Sequence, residues 1–196
     1  ALGMPIARDQ QGKTNKVVAV IGDGSLTGGI AYEAMNNLGN SGSDMTIILN
    51  DNNMSISPNV GAISHYLDEI VTNPFYRKIK NDIWNITEKL PGKQTIQKIF
   101  RETQHSIKKA VTPGLLFEAL GIQYFGPVDG HNLEELIRML TRIEKIKGPK
   151  FLHVLTKKGK GMKEAEADPI TFHGVSPSSG NKSPQNPDYL KVVSKT

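Results

Sequence analysis

Val17-Val18-Ala19-Val20-Ile21 is a short apolar, mostly β-branched run that stops at Gly22-Asp23-Gly24. A second run, Met45-Thr46-Ile47-Ile48-Leu49, stops at Asn50-Asp51-Asn52. Continuous apolar runs of this length read as strands buried on both faces, the habit of parallel sheets. Between them Leu26, Ile30, Ala34 and Leu38, with Ala31 and Met35 beside them, recur at helical spacing, and Gly39 sits where a helix-ending glycine belongs. Strand, glycine turn, helix, strand is a βαβ unit, whose crossover is almost always right-handed. The pattern therefore predicts an α/β fold: a doubly wound, mostly parallel sheet with helices on both faces.

The remainder of the chain extends this plan. From Asn53 the pattern loosens into polar loops and basic helices, predicting a helical insert over about 57–112 whose clearest stripe is Ile96, Ile99, Phe100, Thr103, Ile107 and Val111. A second unit follows: a helix from Leu115 to Leu120 closed by Gly121, a strand from Ile122 to Phe125, and the loop Gly126-Pro127-Val128-Asp129-Gly130-His131. Asn132 is placed to cap the next helix, with Glu135 as its capping-box partner. Leu133, Leu136, Ile137, Leu140 and Ile143 give that helix one apolar face, and the strand Phe151 to Leu155 comes after it. Past His173 the chain turns to Ser, Pro, Asn and Gly, so residues 1–175 read as the α/β domain and 176–196 as an exposed linker or tail.

Composition narrows the function classes. At 196 residues, 37% apolar and 22% charged, the chain is one ordinary globular domain, neither fibrous nor wholly disordered. No apolar run approaches the roughly 18 residues of a membrane span. The absence of cysteine excludes disulfides, thiolate metal sites and cysteine nucleophiles. A formal charge of +5 is too small to point to nucleic acid.

In doubly wound sheets ligands bind beyond the carboxyl ends of the strands, so the informative words are Gly22-Asp23-Gly24-Ser25 and Asn50-Asp51-Asn52-Asn53-Met54. Glycines allow close backbone approach, and a helix starting after Ser25 directs free N–H groups at a guest such as phosphate. Asp23 inside that cradle would repel a phosphate, unless a divalent cation lies between them. Mg²⁺ takes oxygen ligands, and Asp23, the Asn52 amide oxygen and a backbone carbonyl of the next turn would serve it together with phosphate oxygens. A lone Gly-Asp-Gly is also a common turn. Thr27 stands where a dinucleotide fingerprint needs its last glycine, and no Gly-Lys-Ser or Gly-Lys-Thr follows the strand to make a P-loop. What distinguishes this chain is the pair of polar turns, one after each of two strands.

Gly-Asp-Gly followed by this Asn resembles the thiamine diphosphate motif of the transketolase-like superfamily. The words Gly22 to Gly29, Ile48 to Ser57, Gly126 to His131, Thr156 to Gly161 and Asp168 to His173 resemble, in this order, the 1-deoxy-D-xylulose-5-phosphate synthase family, over about Leu2 to Val175. The resemblance implies that Asp23 binds Mg²⁺, that Asn52 binds Mg²⁺ and touches the diphosphate, and that Met54 lends its backbone carbonyl to the metal. It implies that Gly24 and Ser25 hold the diphosphate through backbone N–H groups and that Ile56 packs near the thiazolium ring. Lys158 would offset diphosphate charge, and His173 would sit near the donor substrate as the catalytic candidate. Met162 stands where the family usually places an aromatic that contacts the cofactor, so that contact is changed or lost. His65, His105, His131 and His153 read as structural.

The implied reaction condenses pyruvate with glyceraldehyde 3-phosphate, with loss of CO₂, to 1-deoxy-D-xylulose 5-phosphate. The expected cofactors are thiamine diphosphate and Mg²⁺, and the expected partners are the other domains of the same enzyme in a homodimer, with no nucleic acid and no membrane. The family's chain is about three times longer and includes a pyrimidine-binding domain whose Glu activates the cofactor, so these 196 residues are expected to be inactive alone. The expected compartment is the cytoplasm, or a plastid-type organelle in a eukaryote. Transketolase and the E1 component of keto-acid dehydrogenases share the metal motif; the words Met54 to Ser57 and Gly126 to His131 argue against both. The basic stretch from Asn73 to Ala110 could alternatively mark a nucleic-acid or interaction module. Its charges are interleaved with Tyr76, Trp84 and Phe100, as in solvated helices with a packed face.

Overall fold

Four strands form one fully parallel sheet in the computed structural model, which describes residues 1–54, 60–72 and 114–174. They are β1 (Val18–Gly22), β2 (Met45–Asp51), β3 (Gln123–Asp129) and β4 (Pro149–Leu155), in spatial order β1-β2-β4-β3. Each run that the sequence marks as a strand is one. The helices are α1 (Gly3–Gln10), α2 (Asp23–Leu26), α3 (Gly29–Ser41), α4 (Ala62–Thr72), α5 (Leu115–Ala119), α6 (Leu133–Ile143) and α7 (Lys163–Ala167), followed by a 3₁₀ turn at Thr171–His173. Most of the expected insert, including its Ile96 to Val111 stripe, and the tail over 176–196 lie outside the described residues.

Alternation along the strands sorts the core into two layers. On one face Val17, Met45, Ile47, Leu49 and Phe151 pack under Leu26, Met35, Leu38, Leu67, Ile70 and Phe117 from α2 to α5. In α4 the packed residues Ile63, Leu67 and Ile70 recur at helical spacing, which is why this segment is a helix and lies on the sheet. On the other face Leu152, Val154 and Val128 meet Ile143, with Leu136, Met139 and Leu140 of α6 against them. Helices on both faces match the doubly wound expectation.

Four local readings need correction. Both-face burial is realised in β4, whose neighbours flank it on each side, whereas edge strand β1 leaves Val18 exposed and Val20 70% exposed. The apolar stripes of α3 and α6 are narrower than their periodicity suggests, since Ile30, Leu133 and Ile137 face outward. The helix expected after Ser25 begins at Asp23 itself, breaks at Thr27 and Gly28, and restarts at Gly29. Gly39 does not end α3: the helix runs to Ser41, and Gly42, at φ 64°, is its left-handed cap. Gly39 is instead where α3 touches the turn after α5, because a Cβ there would lie 1.6 Å from the Leu120 carbonyl oxygen. Asn132 does cap α6, its side chain accepting the Glu135 N–H at 3.2 Å.

Register fixes the geometry of the strand ends. Gly22 pairs with Asn50, Asn50 with Val154, and Val154 with Val128, so all four strands finish at one level. The loops after them therefore open on a single edge of the sheet.

Candidate functional site

At that edge the two polar turns meet. Asp23, buried at the start of α2, accepts the Gly24 N–H on Oδ1 (2.9 Å) and the Met54 N–H on Oδ2 (3.1 Å). The same Met54 N–H is shared with Asn52 Oδ1 at 3.1 Å. One amide thus gathers Asp23, Asn52 and Met54, the three residues singled out for metal, around a single point. Asn53 makes the turn possible by adopting φ 57°, a left-handed conformation that Asn tolerates better than most residues. Gly24 and Ser25 follow Asp23 within α2, and Ser25 is exposed. Ile56 lies outside the described residues.

The electrostatics favour a cation. Burial raises the Asp23 carboxyl above the usual carboxylate range, although the Gly24 N–H opposes this, and the nearby Asp51 charge raises it further. A buried carboxylate beside a second one is an environment that a divalent ion relieves. Among the described residues no three His, Asp or Glu side chains cluster as a metal site. The donor set is instead one carboxylate, one amide oxygen and backbone. That composition suits Mg²⁺ bound with phosphate oxygens rather than zinc.

Behind the turn lies a buried polar chain of which the sequence reading marked only His153, as a structural residue. Asp51 accepts the Asn53 N–H on Oδ1 (3.1 Å), and its Oδ2 lies 2.7 Å from His153 Nε2. His153 Nδ1 lies 2.8 Å from the Tyr124 hydroxyl. Burial works to raise the Asp51 carboxyl, but the hydrogen bonds from His153 and the Asn53 N–H outweigh it and hold it below the usual range. A histidine inside the apolar word Phe-Leu-His-Val-Leu was the available signal: a fully buried imidazole must find partners for both nitrogens.

The remaining candidates sit on the loop after β4. Its first residue, Thr156, donates from Oγ1 to Asn50 Oδ1 (2.9 Å) and from its N–H to the Asp51 carbonyl (2.7 Å), tying this loop to the turn after β2. Lys158 Nζ meets His173 Nδ1, so the residues expected at the diphosphate and at the donor substrate are brought together. His173 lies in a 3₁₀ turn. His131 accepts the Lys157 N–H on Nε2 at 2.8 Å, a structural bridge between loops, as expected. Met162 precedes α7 and is half exposed.

Residues 1–156 match the family model described as 1-deoxy-D-xylulose-5-phosphate synthase. A relative of that description from Caldanaerobacter subterraneus subsp. tengcongensis is 51% identical over 179 residues, covering 90% of this chain and 29% of the relative. Another, from Syntrophus aciditrophicus, is 45% identical over 206 residues, covering 100% of this chain and 32% of the relative. The chain therefore spans about 30% of the length of these curated relatives. Among solved structures, transketolase from Campylobacter jejuni superposes with a TM-score of 0.53 at 20% identity, over 84% of this chain and 20% of that one, a likeness of fold.

Proposed function

Since the chain belongs to the 1-deoxy-D-xylulose-5-phosphate synthase family, we propose that it forms the part of such an enzyme that binds the Mg²⁺-diphosphate end of thiamine diphosphate. The reaction served is the condensation of pyruvate with glyceraldehyde 3-phosphate, with loss of CO₂, to 1-deoxy-D-xylulose 5-phosphate. The observation that carries this reading is the single Met54 N–H shared by Asp23 and Asn52, which places a carboxylate and an amide oxygen side by side on the strand-end edge. Asp23 and Asn52 would hold the metal with the Met54 carbonyl. The backbone of Gly24 and Ser25 would face the diphosphate, as would Ile56 the thiazolium ring.

When bound, thiamine diphosphate supplies the carbanion chemistry that decarboxylates a 2-keto acid. The chain's own residues bind and orient. Lys158 brings positive charge to the diphosphate side, and its contact with His173 fixes where that imidazole can present a nitrogen to the donor. Met162 offers a flexible thioether where the family resemblance implies an aromatic ring. The enzyme's other domains, and a second copy in a homodimer, would complete the site.

The test is calorimetric titration of thiamine diphosphate into the full-length enzyme, with and without Mg²⁺. Asp23→Ala is expected to weaken Mg²⁺-dependent binding by at least about 100-fold while the circular dichroism spectrum is retained. Near-normal affinity in that variant refutes the metal assignment. Turnover of a ketose phosphate but not pyruvate would place the enzyme with transketolases instead.

A further inference from the structure

We propose that His153 is a positioning residue for the metal turn: its buried imidazole, held by Tyr124 on one side, clamps Asp51, and Asp51 in turn fixes the backbone that presents Asn52 and Met54 to Asp23. The inference rests on the proposed Mg²⁺-diphosphate site and extends it inward. The chain of contacts is continuous. Tyr124 on β3 meets Nδ1 at 2.8 Å, Nε2 meets Asp51 Oδ2 at 2.7 Å, and Asp51 Oδ1 takes the Asn53 N–H at 3.1 Å. Asn53 carries the left-handed backbone on which the turn depends, and the next amide, that of Met54, is the one shared by Asp23 and Asn52.

The chemistry of the donors makes the assignment specific. Asp51 is 2% exposed and His153 is 0% exposed, so neither has water as an alternative partner. An ionised Asp51 accepts only, so Nε2 carries a hydrogen toward it. With that tautomer fixed, Nδ1 can accept from the Tyr124 hydroxyl, and every polar atom in the chain is satisfied. The imidazole is itself immobilised. Its backbone pairs with Leu49 of β2, and opposite the irregularity between Phe125 and Val128 a Cβ at Gly126 would lie 2.5 Å from its carbonyl oxygen, so β3 passes as close as a glycine permits. A rigid group that donates to a carboxylate whose other oxygen holds the ligand-bearing backbone is the arrangement by which outer residues orient metal ligands.

The experiment compares His153→Phe, which keeps a ring and deletes both hydrogen bonds, with His153→Gln, which keeps an N–H donor for Asp51, in the full-length enzyme. Amide hydrogen exchange at Asn53 and Met54 is read beside that of Ile47 and Leu49 in β2, and Mg²⁺-dependent thiamine diphosphate affinity is measured in parallel. In His153→Phe, Asn53 and Met54 are expected to exchange at least about tenfold faster while β2 stays protected, and affinity is expected to fall about 10- to 100-fold. His153→Gln is expected to restore most of both. Unchanged exchange at Asn53 and Met54, or equal loss of protection along all of β2 in both variants, overturns the positioning role. Tyr124→Phe removes a single hydroxyl and stands in should His153→Phe not fold: faster exchange confined to Asn53 and Met54 supports the role, and wild-type exchange there overturns it. If the unaltered enzyme shows no Mg²⁺-dependent binding, the cofactor reading fails, and the exchange data alone decide the clamp.

Discussion

Glu166 governs the loop that carries Lys158. Its carboxylate meets Lys157 Nζ and accepts the Gly161 N–H at 2.8 Å, and these contacts, Lys157 foremost, lower its pKa from 4.5 to about 2. Because the folded value lies below the unfolded one, the carboxylate's support is complete above about pH 4.5 and drains away as pH falls through about 2. We expect the Glu166 carboxyl carbon and the Gly161 amide proton to titrate together near pH 2 by NMR, and the Gly161 response to vanish in Glu166→Gln. A common midpoint near 4.5 would mean that the loop is not clamped. At this scale the sequence was legible in the polar turns that follow two of the strands, which the structure brings together at Asp23, Asn52 and Met54. It was mute about the contacts that join Asp51, His153 and Tyr124. Their partnership spans 102 residues between Asp51 and His153, and only the β2–β4 pairing brings them together. Periodicity cannot express such a contact.

Helix α3 shows how far an element can be read from its own residues. Its existence follows from spacing, yet its rotation does not, since Ile30 is 79% exposed while Met35 and Leu38 are buried. Its end was misplaced because Gly39 answers to a neighbouring backbone, not to the helix. In an open helix Gly→Ala stabilises by about 1 kcal/mol. At Gly39 the Leu120 carbonyl stands in the way, so Gly39→Ala is expected to destabilise by about 1–3 kcal/mol in urea unfolding. Gly29→Ala, with nothing within 4 Å of its Cβ, should be neutral or slightly stabilising and serves as the control. Equal effects at the two positions would remove the close approach from the account.

At the scale of the whole sheet, the described residues cover the face packed by α2 to α5 well and leave β1 thinly covered on the other. Leu49, fully buried between these layers, should cost about 2–5 kcal/mol when replaced by Ala. Val20→Thr should cost within about 0.5 kcal/mol in this chain. A cost near that of a core residue would show that something covers the β1 face in solution. The fold class was accessible from sequence because four short apolar runs alternate with helical periods. The spatial order β1-β2-β4-β3 was not, since strand order depends on which ladders close and not on any one run.

The common level at which Gly22, Asn50, Val154 and Val128 stand divides the chain into two regimes of tolerance to length change. A residue inserted before that line slips a strand and turns its remaining side chains onto the opposite face. A residue inserted beyond Asp51, Asp129 and Leu155, where the last ladder pairs stand, leaves the register unchanged and falls in a loop. Loops at this edge can therefore change length without shifting the strands, except across ties such as those from Thr156 to Asn50 and Asp51, whereas the strands beneath them can change only in concert. Redesign of substrate preference on this scaffold should work by loop grafting beyond the line, with the ladder left at its native length.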